Sequence, residues 1–577
     1  MFKNRAVKMM LGVAVMAGSL ALPVATGAST SSVIVTLDNV PSGWNNFTSA
    51  NNDFRVGQIL SQIWPSPFIN DSHGAFVQDK NIVSSATSKL VKGKQVVTYV
   101  VNPKAEWQDG VAVNAEDFIY IYQALSGNPA FTDKGGAPYD AAGNSGYNQI
   151  QSVVGSKPVT SGGVPFTCGP GSAGNRNAGL CPNGKTVTVT FKAGQTYPEW
   201  VGLFGLLPAH IARSIGFNTG FEDPANDPRD NVLSAGPYKL SSYNYASNTF
   251  TETKNPNWWG TPGKYDQIIF KNLASDSQGI AGLAAGDYNV FEPTTATKAM
   301  IDEASNYPDS ITDSVVQGYQ FEHVDFNQAN TDLKKLQVRQ AIAYAINRGA
   351  LIAATVGQYL TTSPLDSHIF MANQPGYAKN GKAYDIGGSA AGIAKAKALL
   401  TAAGYKFNNS DNFFHKGTTS GPRLSFNFWN NGTSARTTEA QIIQGQLRQV
   451  GISMSIHVAS NGTILGSGNF DMVIFAWVGS PLLSGNKDIY ACDGGSNYDN
   501  YCNHAFDTAA TKANVAPTTK AEAALYNAAD KILWADMATL PLYQKPQYGA
   551  WTNTVGNVLV NPTQAGIVWN AQKWTVQ

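Results

Sequence analysis

The sequence predicts an α/β protein made of about three structural units or of two large lobes. Three observations carry that expectation. The chain has 577 residues, and domains usually run about 100–200 residues, so a single compact core is excluded. Helical and strand periodicities alternate along the chain, which is the pattern of α/β lobes. No segment recurs with a period of about 20–50 residues, which removes solenoids and propellers.

The first element is a leader. Lys3, Arg5 and Lys8 precede an apolar run from Met9 to Ala25, and Pro23 to Ala28 (PVATGA) supplies small residues for cleavage. Residues 1–28 therefore read as a secretory signal peptide. The alternative is a retained anchor, but a span needs about 20 apolar residues, and this run is shorter, contains glycine and is broken by Pro23. The first cysteine is Cys168, so no lipidation cysteine follows the leader. A soluble protein, periplasmic or secreted, is expected.

Val33 to Leu37 (VIVTL) opens the mature chain as a strand and leads into the turn Trp44-Asn45-Asn46-Phe47. Strands follow at Gln95 to Val101 and Thr186 to Phe191, where β-branched residues alternate with others. Between them Asn114 is placed to cap a helix whose Phe118, Ile121, Tyr122 and Leu125 fall on one face. Helical spacing returns at Val338 to Ile346, at about 436 to 449, and at Ala521 to Leu533. Ile452 to Val458 and the apolar run Phe470 to Trp477 (FDMVIFAW) read as strands, the latter buried on both faces.

Composition excludes whole classes of function. With 40 Lys+Arg against 39 Asp+Glu, the chain has no electrostatic footprint for nucleic acid or an anionic membrane. Charged residues are 14% of the chain, against about 25% in ordinary soluble domains, so amides, hydroxyls and glycine must cover the surface. The four cysteines form two local pairs, Cys168 with Cys181 and Cys492 with Cys502. In an oxidising compartment they read as two loop-closing disulfides, because neither pair has zinc-ligand spacing.

No catalytic, metal or cofactor centre is nominated. Gly169, Gly171 and Gly174 match a dinucleotide fingerprint but lie in a Pro/Asn-rich loop. Gly376 to Lys382 imitates a phosphate loop, yet Ala383 stands where Ser or Thr would hold magnesium. The seven histidines are scattered. A secreted hydrolase would need two carboxylates about 5–9 Å apart across a cleft, and no spacing supports one.

From Glu106 to Phe118 the chain reads EWQDGVAVNAEDF. In order there follow Ala235-Gly236-Pro237-Tyr238-Lys239-Leu240, Lys254-Asn255-Pro256-Asn257-Trp258-Trp259-Gly260, Asp325-Phe326-Asn327, Val338 to Ile346 (VRQAIAYAI), Phe470-Asp471 with Trp477, and Leu540-Pro541-Leu542-Tyr543. Together, over residues 33 to 560, these blocks resemble solute-binding family five of ABC importers, the dipeptide- and oligopeptide-binding type. Read physically they are scaffold. Asp109-Gly110 is a turn, Trp107 plugs a core, and Arg339 either pairs with a carboxylate or is solvated.

The resemblance implies a two-lobed periplasmic-binding-protein fold, type II and of the large cluster C kind, with an extra subdomain in lobe one and crossover hinge strands. Lobe one would comprise 29–272 with 541–577, including the Cys168–Cys181 loop, and lobe two 273–540. It also implies a monomer without catalysis or cofactor that closes on a peptide-like ligand and docks on membrane ABC permease subunits. Peptides would be held as an added strand, their ammonium paired with an Asp just after the strand-ending Trp. Here Trp477 is followed by Val478, Gly479, Ser480 and Pro481, so uncharged Ser480 stands near the expected anchor. Asp488 or Asp493 could substitute, or the ligand lacks a free amino terminus and is a glycan or glycolipid. Trp44, Asn45, Trp429, Asn430, Asn431, Trp477 and Gly479 complete the expected cleft. An envelope-biogenesis role without transport is the remaining alternative.

Overall fold

A computed structural model describes residues 31–577 except 38–42, 49–50, 52, 142, 144, 157–183, 223–227, 245, 274, 294–295, 358 and 360–362. The expected leader at 1–28, Cys168, Cys181 and the glycine-rich loop at 169–174 lie outside the described residues. Two sheets organise the chain. Their strands are β1 (Ser32–Leu37), β2 (Val83–Val91), β3 (Lys94–Val101), β4 (Ile150–Gly155), β5 (Thr186–Phe191), β6 (Tyr238–Asn244), β7 (Thr249–Lys254), β8 (Gln267–Asn272), β9 (Val290–Phe291), β10 (Ile311–Phe326), β11 (Ser425–Asn430), β12 (Ser453–Val458), β13 (Met472–Val478) and β14 (Thr539–Thr552).

Four of them, in the order β2-β3-β5-β4, form an antiparallel sheet of their own. The other ten make one sheet ordered β12-β11-β13-β10-β14-β9-β1-β8-β7-β6. Two large cores sit on it. One gathers residues from Val33 to Phe270 with Trp551 to Trp574, and the other residues from Val324 to Tyr543. The chain is therefore a two-lobed α/β protein. Its lobes are joined by the long antiparallel strands β10 and β14, whose register runs from Ile311↔Thr552 to Asp325↔Thr539.

That ladder is interrupted twice, between Gln317 and Phe321 and between Glu322 and His323. Pro546 and Pro541 sit opposite Gln317 and His323 at those breaks. Proline has no N–H to give a ladder, so it is accommodated where pairing is already broken. The interrupted stretch carries buried polar side chains alongside the buried rings of Tyr319 and Phe321. Gln547 donates to Glu292 at 2.7 Å, and Glu292 in turn accepts from Arg55 at 3.1 Å and Gln58 at 2.6 Å. One step along, buried Glu322 meets Arg436 at 2.7 Å and Lys545 at 3.1 Å.

The helices form as their sequence spacing predicts. In α1 (Ala115–Leu125) Asn114 accepts from the Glu116 N–H at 2.8 Å, and Asp117 reaches back to the Asn114 N–H at 2.9 Å, completing a capping box. Trp107, fully buried, donates its indole N–H to the same Asp117 at 3.4 Å. Burial raises the Asp117 carboxyl to about 6, against the pull of its backbone donors.

Helices α2 (Leu336–Ala345), α3 (Ser434–Gln449) and α4 (Thr519–Asp536) pack the second lobe. Arg339 of α2 neither pairs with a carboxylate nor faces solvent. It is buried and donates to four backbone carbonyls, those of Leu333, Lys334, Asp536 and Met537, at 2.6–3.1 Å. These include orphan acceptors at the C-terminal end of α4. Arg339→Ala is expected to lose about 3 kcal/mol in urea unfolding followed by tryptophan fluorescence. Arg339→Lys should restore less than half, because a point ammonium cannot span a fork's worth of acceptors.

Candidate functional site

The lobes face each other across a cavity of about 820 Å³. Phe76, Glu199 and Val201 line it from the first lobe, and Phe370, Leu482 and Glu522 from the second. Tyr319 of β10 also contributes. The walls are mostly apolar, with two buried carboxylates, Glu199 and Glu522, and exposed Lys520 and His73 as their ionisable groups.

Each acid is positioned by local structure. Glu199 is buried at the start of a 3-10 turn, Trp200–Gly202. It reaches across the lobe boundary and accepts the N–H of Leu483 in a short bond and that of Ser484 at 3.1 Å. Tyr197 reinforces the crossing, its hydroxyl 3.1 Å from the Ser484 hydroxyl. The segment gripped is the loop that leaves β13, a few residues beyond Trp477. Glu522 lies in the first turn of α4, whose Thr518 cap accepts from the Ala521 N–H at 3.2 Å. The residue is 1% exposed, and its Oε1 has no hydrogen-bond partner among the described residues. Burial raises the Glu522 carboxyl to about 9, with the Glu199 charge adding to the effect. Burial raises Glu199 as well, although its N–H donors oppose that.

The residues singled out in the sequence separate into three groups. The first group lies at or beside this boundary. Trp477 is the penultimate residue of β13, its ring stacks with His323 and with Tyr498, each at 5.9 Å, and its buried indole N–H has no partner among the described residues. Gly479 donates to the Tyr319 carbonyl, and a Cβ there would come within 2.4 Å of that oxygen. Only glycine fits so close a backbone approach. Ser480 is exposed. Its hydroxyl accepts the Leu482 N–H at 3.1 Å and its carbonyl accepts from Gln374 at 3.3 Å.

Asp488 and Asp493 form the second group, facing a neighbouring cavity of about 580 Å³ with Lys192 and Asn148 of the first lobe. Asp488 is engaged in its own loop, accepting from Gly495 N–H at 3.0 Å and Ser496 at 2.8 Å. That loop is closed by the Cys492–Cys502 disulfide, with Cα atoms 4.4 Å apart.

The third group lies away from this cavity. Trp44, 1% exposed, packs edge-on against Phe250 inside the first core. Asn45 is buried, and its amide donates to the Phe217 carbonyl at 2.7 Å and accepts from Phe47 N–H at 3.2 Å. Asn430 is likewise consumed, donating to the His457 carbonyl and accepting from Gly432. Asn431 accepts from the Thr433 hydroxyl at 3.2 Å in its own turn. Trp429 stacks on His457 at 4.8 Å in a pocket lined by second-lobe residues alone. These five side chains are engaged by their own packing and turns, away from the cavity between the lobes. Conversely, Glu199 and Glu522 carried no signal in the sequence, since each is a lone carboxylate in a stretch of ordinary helical or turn character.

Two lobes on one shared sheet, bridged by two strands and facing each other across a cavity, are the architecture of two-lobed solute-binding proteins. The family follows from the chain itself. Residues 83–500 match the model of bacterial extracellular solute-binding proteins, family 5, and the protein belongs to that family. An oligopeptide-binding protein, OppA of Mycobacterium tuberculosis (strain ATCC 25618 / H37Rv), is 29% identical over 91% of this chain and 81% of its own length. A second protein of that strain, described as a probable monoacyl phosphatidylinositol tetramannoside-binding protein, LpqW, is 25% identical over 63% of this chain and 49% of its own. Among solved structures, a periplasmic EDTA-binding protein, EppA, superposes with a TM-score of 0.81 at 24% identity, covering 97% of this chain and 99% of its own. That likeness carries the fold. Among the described residues, no helix is long and apolar enough to cross a membrane.

Proposed function

We propose that the protein is exported by its leader, captures di- or oligopeptides between its lobes outside the cytoplasm, and delivers them to membrane ABC permease subunits without catalysis. The observation that carries this is the near full-length relation to an oligopeptide-binding protein, joined to a cavity lined by residues of both lobes. We place the passages between lobes within β10 and β14, later in the chain than 272 for the first. The protein acts as a monomer, and Trp477, whose ring stacks with His323 and Tyr498, offers its indole N–H to the ligand.

Ser480 supports a second reading. Its uncharged side chain sits where a peptide ammonium would be paired in relatives, and one relative is described as binding a mannosylated lipid. A glycan or glycolipid cargo, or an envelope-biogenesis role without import, fits that feature. Mass spectrometry of ligand released from the natively purified protein separates the readings. Peptides are expected in the released fraction, and small-angle scattering should show closure when they are added back. A mannosylated lipid in their place would overturn the peptide reading, and no saturable ligand with no closure would overturn capture altogether.

A further inference from the structure

From the cavity between the lobes we infer that Glu522 is the acceptor for a cationic group of the ligand, a protonated amine or guanidinium attached to an apolar body. The inference deepens the capture reading above and rests on it. It concerns a site that the sequence did not suggest, on the helix wall of the cavity and not on the loop after Trp477.

Three independent features converge. Glu522 is almost wholly buried yet lines the cavity, and one of its oxygens has no hydrogen-bond partner among the described residues. A buried polar atom without a partner costs about 1–3 kcal/mol, more if charged, so a donor brought by a ligand would remove a standing penalty. The surrounding walls, Phe76, Val201, Phe370, Leu482 and Ala523, offer hydrocarbon to the rest of such a molecule. Glu199, the other acid in the cavity, is already committed to the N–H groups of Leu483 and Ser484, so the two carboxylates have separate tasks. Glu199 holds the lobes together and Glu522 is left to the ligand.

Other titratable groups around the pair are Tyr197 and Tyr526, both buried, and exposed Lys520 and His73 on the cavity lining. Neither tyrosine supplies a positive charge. Burial keeps the Glu522 carboxyl protonated at neutral pH in the empty protein. An arriving ammonium or guanidinium would favour the carboxylate, and one proton would leave for the buffer as the ion pair forms. The same burial makes the ionised form a cost to the folded state. Stability from this group is complete below the ordinary Glu range and is lost as pH rises through about 9.

The test uses calorimetry on the full mature chain with three peptides: trileucine, N-acetyl-trileucine, and N-acetyl-Leu-Lys-Leu. The first carries a terminal ammonium, the second no cation, and the third a side-chain cation. At least one cationic peptide should bind about ten- to a hundred-fold more tightly than N-acetyl-trileucine, the range for one charge-assisted hydrogen bond. Which of the two does so tells a terminal from a side-chain source. Repeating the titration in buffers of different ionisation enthalpy should show proton release near pH 7. Glu522→Gln should abolish both the preference and the proton release. It should also raise the ligand-free melting temperature at pH 8, which shows that the variant folds.

A wild-type protein that binds N-acetyl-trileucine as tightly as the cationic peptides would overturn the inference. So would a Glu522→Gln variant that keeps the preference. If none of the three binds, the ligand released from the native protein decides. A neutral or anionic ligand defeats the cation site but leaves capture standing, a cationic one supports the site, and no ligand with no closure defeats both.

Discussion

Glu322→Gln is expected to be among the most destabilising single substitutions in the chain, costing about 3–5 kcal/mol. Glu322 is buried on β10 with two buried cations on it, Arg436 at 2.7 Å and Lys545 at 3.1 Å. Removing the negative charge takes from Arg436 and Lys545 the carboxylate that pairs with both, and leaves buried Glu439 as the acid beside them to offset the loss. Urea unfolding read by tryptophan fluorescence measures the loss, and a loss below about 1 kcal/mol would show that the network is better hydrated than its burial implies. Replacing all three residues by apolar ones of similar volume should recover most of the stability, because the penalty lies in the unpaired charge and not in the missing bridge.

The same network gives a pH signature. Burial alone would raise the Glu322 carboxyl, but Arg436 and then Lys545 outweigh it and hold it at about 2. A carboxyl depressed on folding stabilises above its ordinary value, so this contribution is lost as pH falls from about 4.5 towards 2. Its neighbour Glu439 is raised by burial, and then by the Glu322 charge, to about 8. It opposes folding progressively as pH climbs from about 4.5 through 8. One of the two acids is ionised and the other protonated at neutral pH. Glu322→Gln should flatten the acid limb of a stability–pH curve and also shrink the basic limb, because the Glu322 charge is one of the causes that hold Glu439 up.

Glu199→Ala should have the largest effect on function. Its carboxylate takes two backbone N–H groups from the opposite lobe, a contact that exists only when the lobes are together. Charge-assisted hydrogen bonds are worth about 1.5–3 kcal/mol each. Losing this grip should weaken binding of any ligand roughly ten- to a hundred-fold through the closed population. The radius of gyration of the ligand-free protein should rise in small-angle scattering. Charged and neutral ligands should suffer alike, which distinguishes this residue from Glu522. Unchanged affinity and scattering would mean that the Leu483–Ser484 segment is held by its own lobe.

Much of the scaffold was legible from local pattern. The capping box at Asn114, the apolar faces of α2, α3 and α4, and the alternation in β3 and β5 all act over a few residues, where sequence and structure are directly linked. The joining strands were not legible. β14 reads TLPLYQKPQYGAWT, with two prolines and no alternation, and nearly all of it is buried. β10 carries Gly318 and a run of buried polar residues. Their burial is decided by partners such as Glu292, Arg55 and Arg436, which lie far away in sequence. The site divided the same way. Ser480 in place of an acid could be read directly, whereas Glu199 and Glu522 became a pair only through the meeting of two lobes. Trp44, Asn45 and Asn430 show why residue type alone does not mark a cleft: what suits a ligand equally suits a filled core or a turn.

The strand β14 has a consequence for how the molecule comes to exist. It alone connects the two halves of the ten-stranded sheet, lying between β10 on one side and β9 on the other. It is also the last strand of that sheet in chain order. During synthesis both half-sheets must therefore wait with a raw edge each, and an edge of unpaired amides invites the wrong neighbour. A nascent chain cut short before Thr539 would hold two such edges open at once and tend to stick to its own copies. The complete chain seals both in one late stroke, so commitment to the native structure is delayed until nearly all of it has emerged.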